Sequence, residues 1–260
     1  AIYALTGHDI RFTLEGGFNL GTVTVAIDPL SAWFILIINL TLINGTLYGS
    51  GYMKAYGDRQ RELALHWVLM VIFHAAMVWV CMLRNSLAFL IAWEIMTLAS
   101  FLLVVFEHDS TTVKAGVNYL IQMHIGVALL SVAFIVVSLR QGSFDFDSIA
   151  DFFSQAPARG IILLFFAGFA FKAGMVPFHT WLPHAHPAAP SHVSGIMSGV
   201  IVKTGIYGIL RIMWMVRHDL VPIGMTVVAV SAVTTLYGIL NASVHRDLKK
   251  LLAFCTTENI

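Results

Sequence analysis

Apolar residues run through this chain in long blocks separated by short polar clusters, and the block lengths decide which elements they predict. Stretches near 30–52, 63–83, 87–106, 113–139, 161–182, 192–216 and 221–243 lie close to the roughly 20 residues that cross a bilayer as a helix, and a further one begins at 251. Ahead of them the period changes. In "DIRFTLEGGFNLGTVTVAI", residues 9–27, apolar and polar positions alternate around Gly16-Gly17, the pattern of a short β-hairpin outside the bilayer. The expectation is an all-α fold: a polytopic transmembrane helix bundle over 30–260, with seven spans and the start of an eighth, preceded by an extramembrane segment over 1–29. The longest connection, 140–160, carries Asp145, Asp147 and Asp151 and predicts a short amphipathic surface helix. The sequence opens without Met, a basic n-region or an A-x-A site. It stops inside the apolar run "LLAFCTTENI", so a fragment of a longer chain is expected.

Composition agrees with the membrane reading. Of 260 residues, 58% are hydrophobic and 11% charged, against about 25% charged in soluble domains; the mean hydropathy is +0.82. A net charge of +1 with no long Lys/Arg run gives no footprint for nucleic acid. Cys81 and Cys255 both lie in apolar runs and form neither a disulfide framework nor a CxxC site. Lys54, Arg59 and Arg61 follow the first span, and Arg246, Lys249 and Lys250 the seventh, which makes both loops cytoplasmic by the positive-inside rule. Arg84, Arg140, Arg159, Arg211 and Arg217 on the opposite side weaken that asymmetry.

Ionisable residues inside the runs supply the candidate chemistry. A charge at bilayer depth costs at least about 2.5 kcal/mol, so such residues face a partner or a wet path. Counting along each run places His74, Glu94, His124, Lys172 and Lys203 near the middle of five different spans, a titratable layer along the midplane. For His66, His74 and His124 a hydrogen-bonded packing role is the plainer alternative. Glu94 and the lysines resist that reading, because burial disfavours their ionised forms unless an opposite charge lies close. Gly174 and Pro177 follow Lys172 and predict a broken helix, whose freed carbonyls are tolerated where they line a cavity. Gly195 and Gly199 precede Lys203 by eight and four residues, with Tyr207 four after it. That spacing suits either close helix approach beside the cation or an ordinary small-residue packing face. Lys114, Asn118 and Gln122 form a stripe that reads either as a path inward or as a helix–helix seam. Histidines 179, 184, 186 and 192 invite a metal reading, but their spacing among prolines and the lack of a completing cysteine or carboxylate argue against it. Neither facing haem ligands, an iron–sulfur cysteine set, a nucleotide loop nor a flavin fingerprint is present, so no cofactor is expected in this chain.

Three segments, "WEIMTLASFLLV", "FKAGMVPFHTWLPHAHPAAPSHVSGIMSGVIVKTGIYGILR" and "HRDLKKLLAFCTTENI", together resemble the antiporter-like, proton-conducting membrane subunits of respiratory complex I, Mrp-type antiporters and group 4 [NiFe] hydrogenases. The middle one looks most like the large membrane subunit of hydrogenase-4 and formate hydrogenlyase type. The resemblance runs from about residue 27 to the end and implies one antiporter-like repeat, with a broken helix near Pro177, of a longer chain built from inverted repeats. By motif, Glu94 matches the glutamate of the family's fifth span, Lys172 the lysine beside the break in the seventh, and Lys203 the eighth-span lysine that passes protons onward. The family's twelfth-span lysine has no counterpart here.

What the resemblance implies is a proton-translocating subunit of a redox-driven complex in a prokaryotic inner membrane. Its partners would be other membrane subunits and a peripheral redox arm holding nickel–iron or iron–sulfur centres. A Na⁺/H⁺ antiporter subunit of Mrp type is the alternative, and a structural scaffold whose charges only set helix register is a third. A Glu94–Lys172 contact at about 4 Å would be worth roughly 4 kcal/mol at an effective dielectric near 20. That is close to the roughly 3.5 kcal/mol needed to drive a proton against about 150 mV, so this ion pair, opening and closing, is the expected switch.

Overall fold

The computed structural model describes residues 2–16, 21–155, 158–216, 218 and 220–260. After a short turn of helix α1 (Ile2–Leu5), strands β1 (Ile10–Glu15) and β2 (Thr22–Ile27) pair antiparallel, with Ile10 opposite Ile27 and Glu15 opposite Thr22. The expected hairpin turn at Gly17, like Arg217, lies outside the described residues. The hairpin is one-sided. β1 is largely exposed, whereas Val23 and Val25 of β2 are buried and Thr24 accepts the Arg84 N–H at 2.9 Å, so the ribbon closes one end of the bundle.

Helix α2 (Pro29–Tyr52) begins with Pro at its first position, where the missing N–H costs nothing, and Asp28 caps it by accepting the Ser31 N–H at 2.9 Å. A 3₁₀ turn (Met53–Tyr56) leads to α3 (Gln60–Met82) and α4 (Ser86–Val104), the latter capped by Asn85. Asp109 caps α5 (Ser110–Gln141), which stops at left-handed Gly142. The loop helix expected within 140–160 is α6 (Phe146–Gln155); it buries Phe146, Ile149 and Phe153 and turns Asp147 and Asp151 outward. Next come α7 (Arg159–Ala173), α8 (Leu182–Ala188) and α9 (Ser191–Ile196). A π turn (Met197–Ile201) joins α9 to α10 (Val202–Met215), and α11 (Leu220–Val244) and α12 (Leu248–Glu258) follow.

Among the described residues six helices are long and apolar enough to cross a membrane. The expected span 161–182 is absent from that set because the chain is helical there only as far as Ala173, about 22 Å of helix at 1.5 Å per residue. Gly174 adopts φ 78°, and a Cβ on it would lie 2.2 Å from Leu182 Cδ1, so only glycine fits where the chain doubles back. The break is held together. Trp181, fully buried, donates to Phe171 O at 2.9 Å, the Val176 N–H donates to Thr234 Oγ1 at 3.1 Å, and the Phe171 and Phe178 rings stack at 4.1 Å.

The core lies between α4, α5, α7 and α10, around Phe89, Trp93, Phe134, Phe165 and Phe169. The close helix approach expected at Gly195 falls elsewhere: nothing lies within 4 Å of a Cβ there. Gly199 faces Thr41 of α2, and it is Gly205 and Gly208 that let α10 press on α7, a Gly205 Cβ lying 2.5 Å from Ala173 N. Leu47, Val71, Leu139 and Val221 are each at least 68% exposed. Such an apolar exterior suits lipid rather than water.

Candidate functional site

Among the described residues Lys172 is the best-enclosed lysine or arginine, at 1% exposed. It sits one residue before the end of α7, and its Nζ donates to Thr97 Oγ1 on α4 and to Tyr119 Oη on α5, both at 3.0 Å. Tyr119 also bonds Ser100 Oγ at 2.7 Å, and the ammonium lies 5.8 Å from the Trp93 ring and 5.4 Å from that of Tyr119. These aromatic faces favour a cation. Its hydrogen-bond partners are neutral hydroxyls. Thr97 Oγ1 gives its own hydrogen to Trp93 O at 2.9 Å and so only accepts from Lys172. The Tyr119 hydroxyl accepts from an ammonium or, when Ser100 Oγ donates to it, turns its hydrogen to an amine. The cage therefore tolerates either protonation state through Tyr119.

Glu94 does not touch Lys172. The expected ion pair is replaced by one between Glu94 Oε2 and His124 Nε2 at 3.5 Å, on the side where His124 is half exposed. Thr97, nearly one turn after Glu94, and Tyr119 fill the space around the lysine, while Glu94 Oε2 turns to His124, further along α5. His124 Nδ1 lies 2.9 Å from Leu120 O. A carbonyl only accepts, so Nδ1 carries the hydrogen and Nε2 is the atom that faces the carboxylate. Glu94 Oε1 is left buried without a hydrogen-bond partner among the described residues.

Lys203 and His74 stand apart from this group. Lys203, half-buried, reaches toward α12 with Nζ 3.4 Å from Asn259 O. His74 bonds Asn39 Oδ1 on α2 at 3.2 Å. The five residues expected in one layer thus form one cluster and two separate sites. Gly174 and Pro177 flank the turn that ends α7 beside Lys172. Of the stripe Lys114, Asn118 and Gln122, the glutamine bonds both Asn118 (3.1 Å) and Thr180 (2.9 Å). With His184 and Lys250, Lys114 and Asn118 line a polar cleft of about 750 Å³. The loop histidines disperse: His179 packs on Tyr237, His186 bonds Ser194, and His192 meets His66.

Sequence reading passed over Thr97, Ser100 and Tyr119, the atoms that hold the lysine. A signal existed in part, since Thr97 follows Glu94 at i+3 on the same helical face. Arg84 and Arg211, which in the sequence only weaken the charge asymmetry between the two sides, have a structural place. Both are buried around Asp28: Arg211 grips the carboxylate with two nitrogens, Arg84 Nη2 lies 3.3 Å from it, and both donate to Ser31 Oγ at 2.9 Å. Burial works to raise the Asp28 pKa, but the bonds and charge of Arg211, the Ser31 N–H and Arg84 outweigh it and hold the carboxyl well below the usual range.

The family described as "NADH:quinone oxidoreductase/Mrp antiporter, TM" matches residues 84–260. The chain belongs to this family. As a family member it is 40% identical over 247 residues to hydrogenase-4 component B of Escherichia coli, covering 94% of this chain and 36% of the relative. Among solved structures, a chain of the membrane-bound sulfane sulfur reductase, an archaeal respiratory membrane complex, superposes with TM-score 0.86 at 25% identity, over 99% of this chain and 43% of that one. A chain of the Mrp complex from Dietzia sp. DQ12-45-1b gives TM-score 0.85 at 26% identity, over 99% and 28%. This antiporter-like chain therefore spans well under half the length of each.

Proposed function

We propose that this chain forms one proton-translocating repeat of a membrane subunit in a redox-driven complex of a prokaryotic inner membrane, of the hydrogenase-4 kind. The observation that carries the reading is Lys172, fully buried against the hydroxyls of Thr97 and Tyr119, near a Glu94–His124 pair. Protonating that pair cancels the carboxylate charge that favours the ammonium of Lys172, and the lysine then yields its proton through the hydroxyls; emptying the pair reloads it. Glu94 thus acts on Lys172 through space rather than by contact. Lys203, in the first turn of α10, is the acceptor on the way to the rest of the subunit. His74, hydrogen-bonded to Asn39, stands off this route. The electrons are handled by partners, other membrane subunits and a peripheral arm carrying nickel–iron or iron–sulfur centres.

The test is coupled proton uptake in membranes containing the intact complex. Lys172→Ala and Glu94→Gln abolish it while the complex still co-purifies with its redox arm; undiminished uptake in Lys172→Ala sinks the reading. The near-equal likeness to a chain of an Mrp complex keeps Na⁺/H⁺ exchange as the second reading. Sodium-dependent proton movement without any electron donor would favour it.

A further inference from the structure

Away from the lysine cluster, two buried histidines meet head to head. His66 Nε2 on α3 and His192 Nε2 on α9 lie 2.7 Å apart, at 1% and 2% exposure. The contact is built, not incidental. Gly49 of α2 makes room for the His192 ring, since a Cβ there would come within 2.8 Å of it, and the rings of Trp67, Tyr52 and Phe106 enclose the two imidazoles. Both Nδ1 atoms are buried without a hydrogen-bond partner among the described residues. An unmet buried polar atom costs about 1–3 kcal/mol. A pair meant only for packing would shed that cost by replacing the rings with apolar side chains.

Valence settles what such a pair can do. A hydrogen must lie between the two Nε2 atoms. In the neutral pair the donor ring therefore has a bare Nδ1, while the acceptor ring carries its hydrogen on Nδ1. One unmet nitrogen is a proton acceptor and the other a proton donor. We propose that His66 and His192 form a proton-relay dyad, an uptake site that feeds the translocation described above and rests on that reading. A proton from a hydronium ion adds to the bare Nδ1 and leaves water; the Nε2 hydrogen crosses to the other Nε2; the far Nδ1 releases its hydrogen. One proton enters and one leaves, and the bridge ends with its direction reversed, so the dyad passes a single proton until the rings turn back.

Its position suits uptake. His66 lies in the second turn of α3 and His192 in the first of α9, at the bundle end that carries Arg59, Glu62 and Glu107. The Phe106 ring separates that charged mouth from the dyad, with Arg59 4.9 Å from one side and the His66 ring 5.2 Å away. Lys203, the acceptor of the proposed route, is about 16 Å from His192 along the helix that continues through the π turn into α10, so the dyad stands at the entrance end of the same element.

The experiment uses the intact complex. Glutamine keeps a hydrogen bond but cannot take up a proton near neutral pH. His66→Gln and His192→Gln are each expected to slow coupled proton uptake by at least about tenfold with co-purification unchanged, and the double variant is expected to be no slower than either single, as for residues acting as one unit. Undiminished uptake in the assembled double variant overturns the proposal, and Lys172→Ala in the same assay reads the underlying function separately. A readout independent of assembly in the variants is ¹⁵N-histidine NMR of the wild-type complex. A coupling across the Nε2–H–Nε2 bridge is expected, and its absence overturns the dyad.

Discussion

Lys172 and the Arg84–Arg211 pair are both buried cations, yet only the arginines touch a carboxylate. Arg84 and Arg211 close around Asp28 and share Ser31 Oγ near the hairpin end of the bundle. Lys172 has two hydroxyls and two ring faces, while the carboxylate of Glu94 turns to His124. Arginine keeps its proton in any protein environment, so an ion cluster built on it is fixed in charge and fastens α2, α3 and α10. Lysine changes charge readily when buried, and a cage of hydroxyls leaves it free to do so. The one site is suited to staying, the other to switching.

The comparison can be broken at several points. Asp28→Asn leaves two buried guanidiniums without their anion and should destabilise the chain by about 3–4 kcal/mol, seen as a fall in thermal stability of the detergent-solubilised complex, with little effect on the transport rate of what remains folded. Lys172→Arg keeps the charge but cannot release it. Coupled uptake should drop about 100-fold in complex that still co-purifies with its redox arm, and a pumping Lys172→Arg would refute the switch. Gly205→Ala pushes a methyl into the α7 backbone beside the lysine and should cost about 2 kcal/mol, read by thermal melting. Tyr119→Phe removes one hydroxyl of the cage and should slow uptake about tenfold, close to the 1.4 kcal/mol of one charged hydrogen bond.

The smallest expected effect is a pH dependence at the fixed site. The Asp28 pKa is depressed in the folded chain, so its contribution is present above the unfolded value near 3.9 and lost as pH falls through the folded one. Thermal stability should hold from pH 7 to about 5 and decline below about 4; Asp28→Asn should flatten that decline.

Much of this was legible before any coordinates. The spans follow from blocks of about 20 apolar residues, and Gly174 with Pro177 announced that the helix after Arg159 would stop early. Lys172 and Glu94 stood out because ionised groups in apolar runs are costly. Their partners were not legible. The expected Glu94–Lys172 contact gives way to two separate arrangements, and Arg84 and Arg211, which the sequence shows only as charges weakening the side-to-side asymmetry, turn inward to Asp28. His66 and His192, 126 positions apart in sequence, showed no sign of meeting.

Sequence alone determined which stretches form long apolar helices and where one of them breaks, because both are read along a single stretch of chain. Only the tertiary structure decided which groups face each other. A helix turns about 100° per residue, so a partner is chosen by the rotation of one helix against its neighbours, and that rotation is set by contacts such as Gly205 on Ala173 and Gly49 on His192 that join residues far apart in the chain.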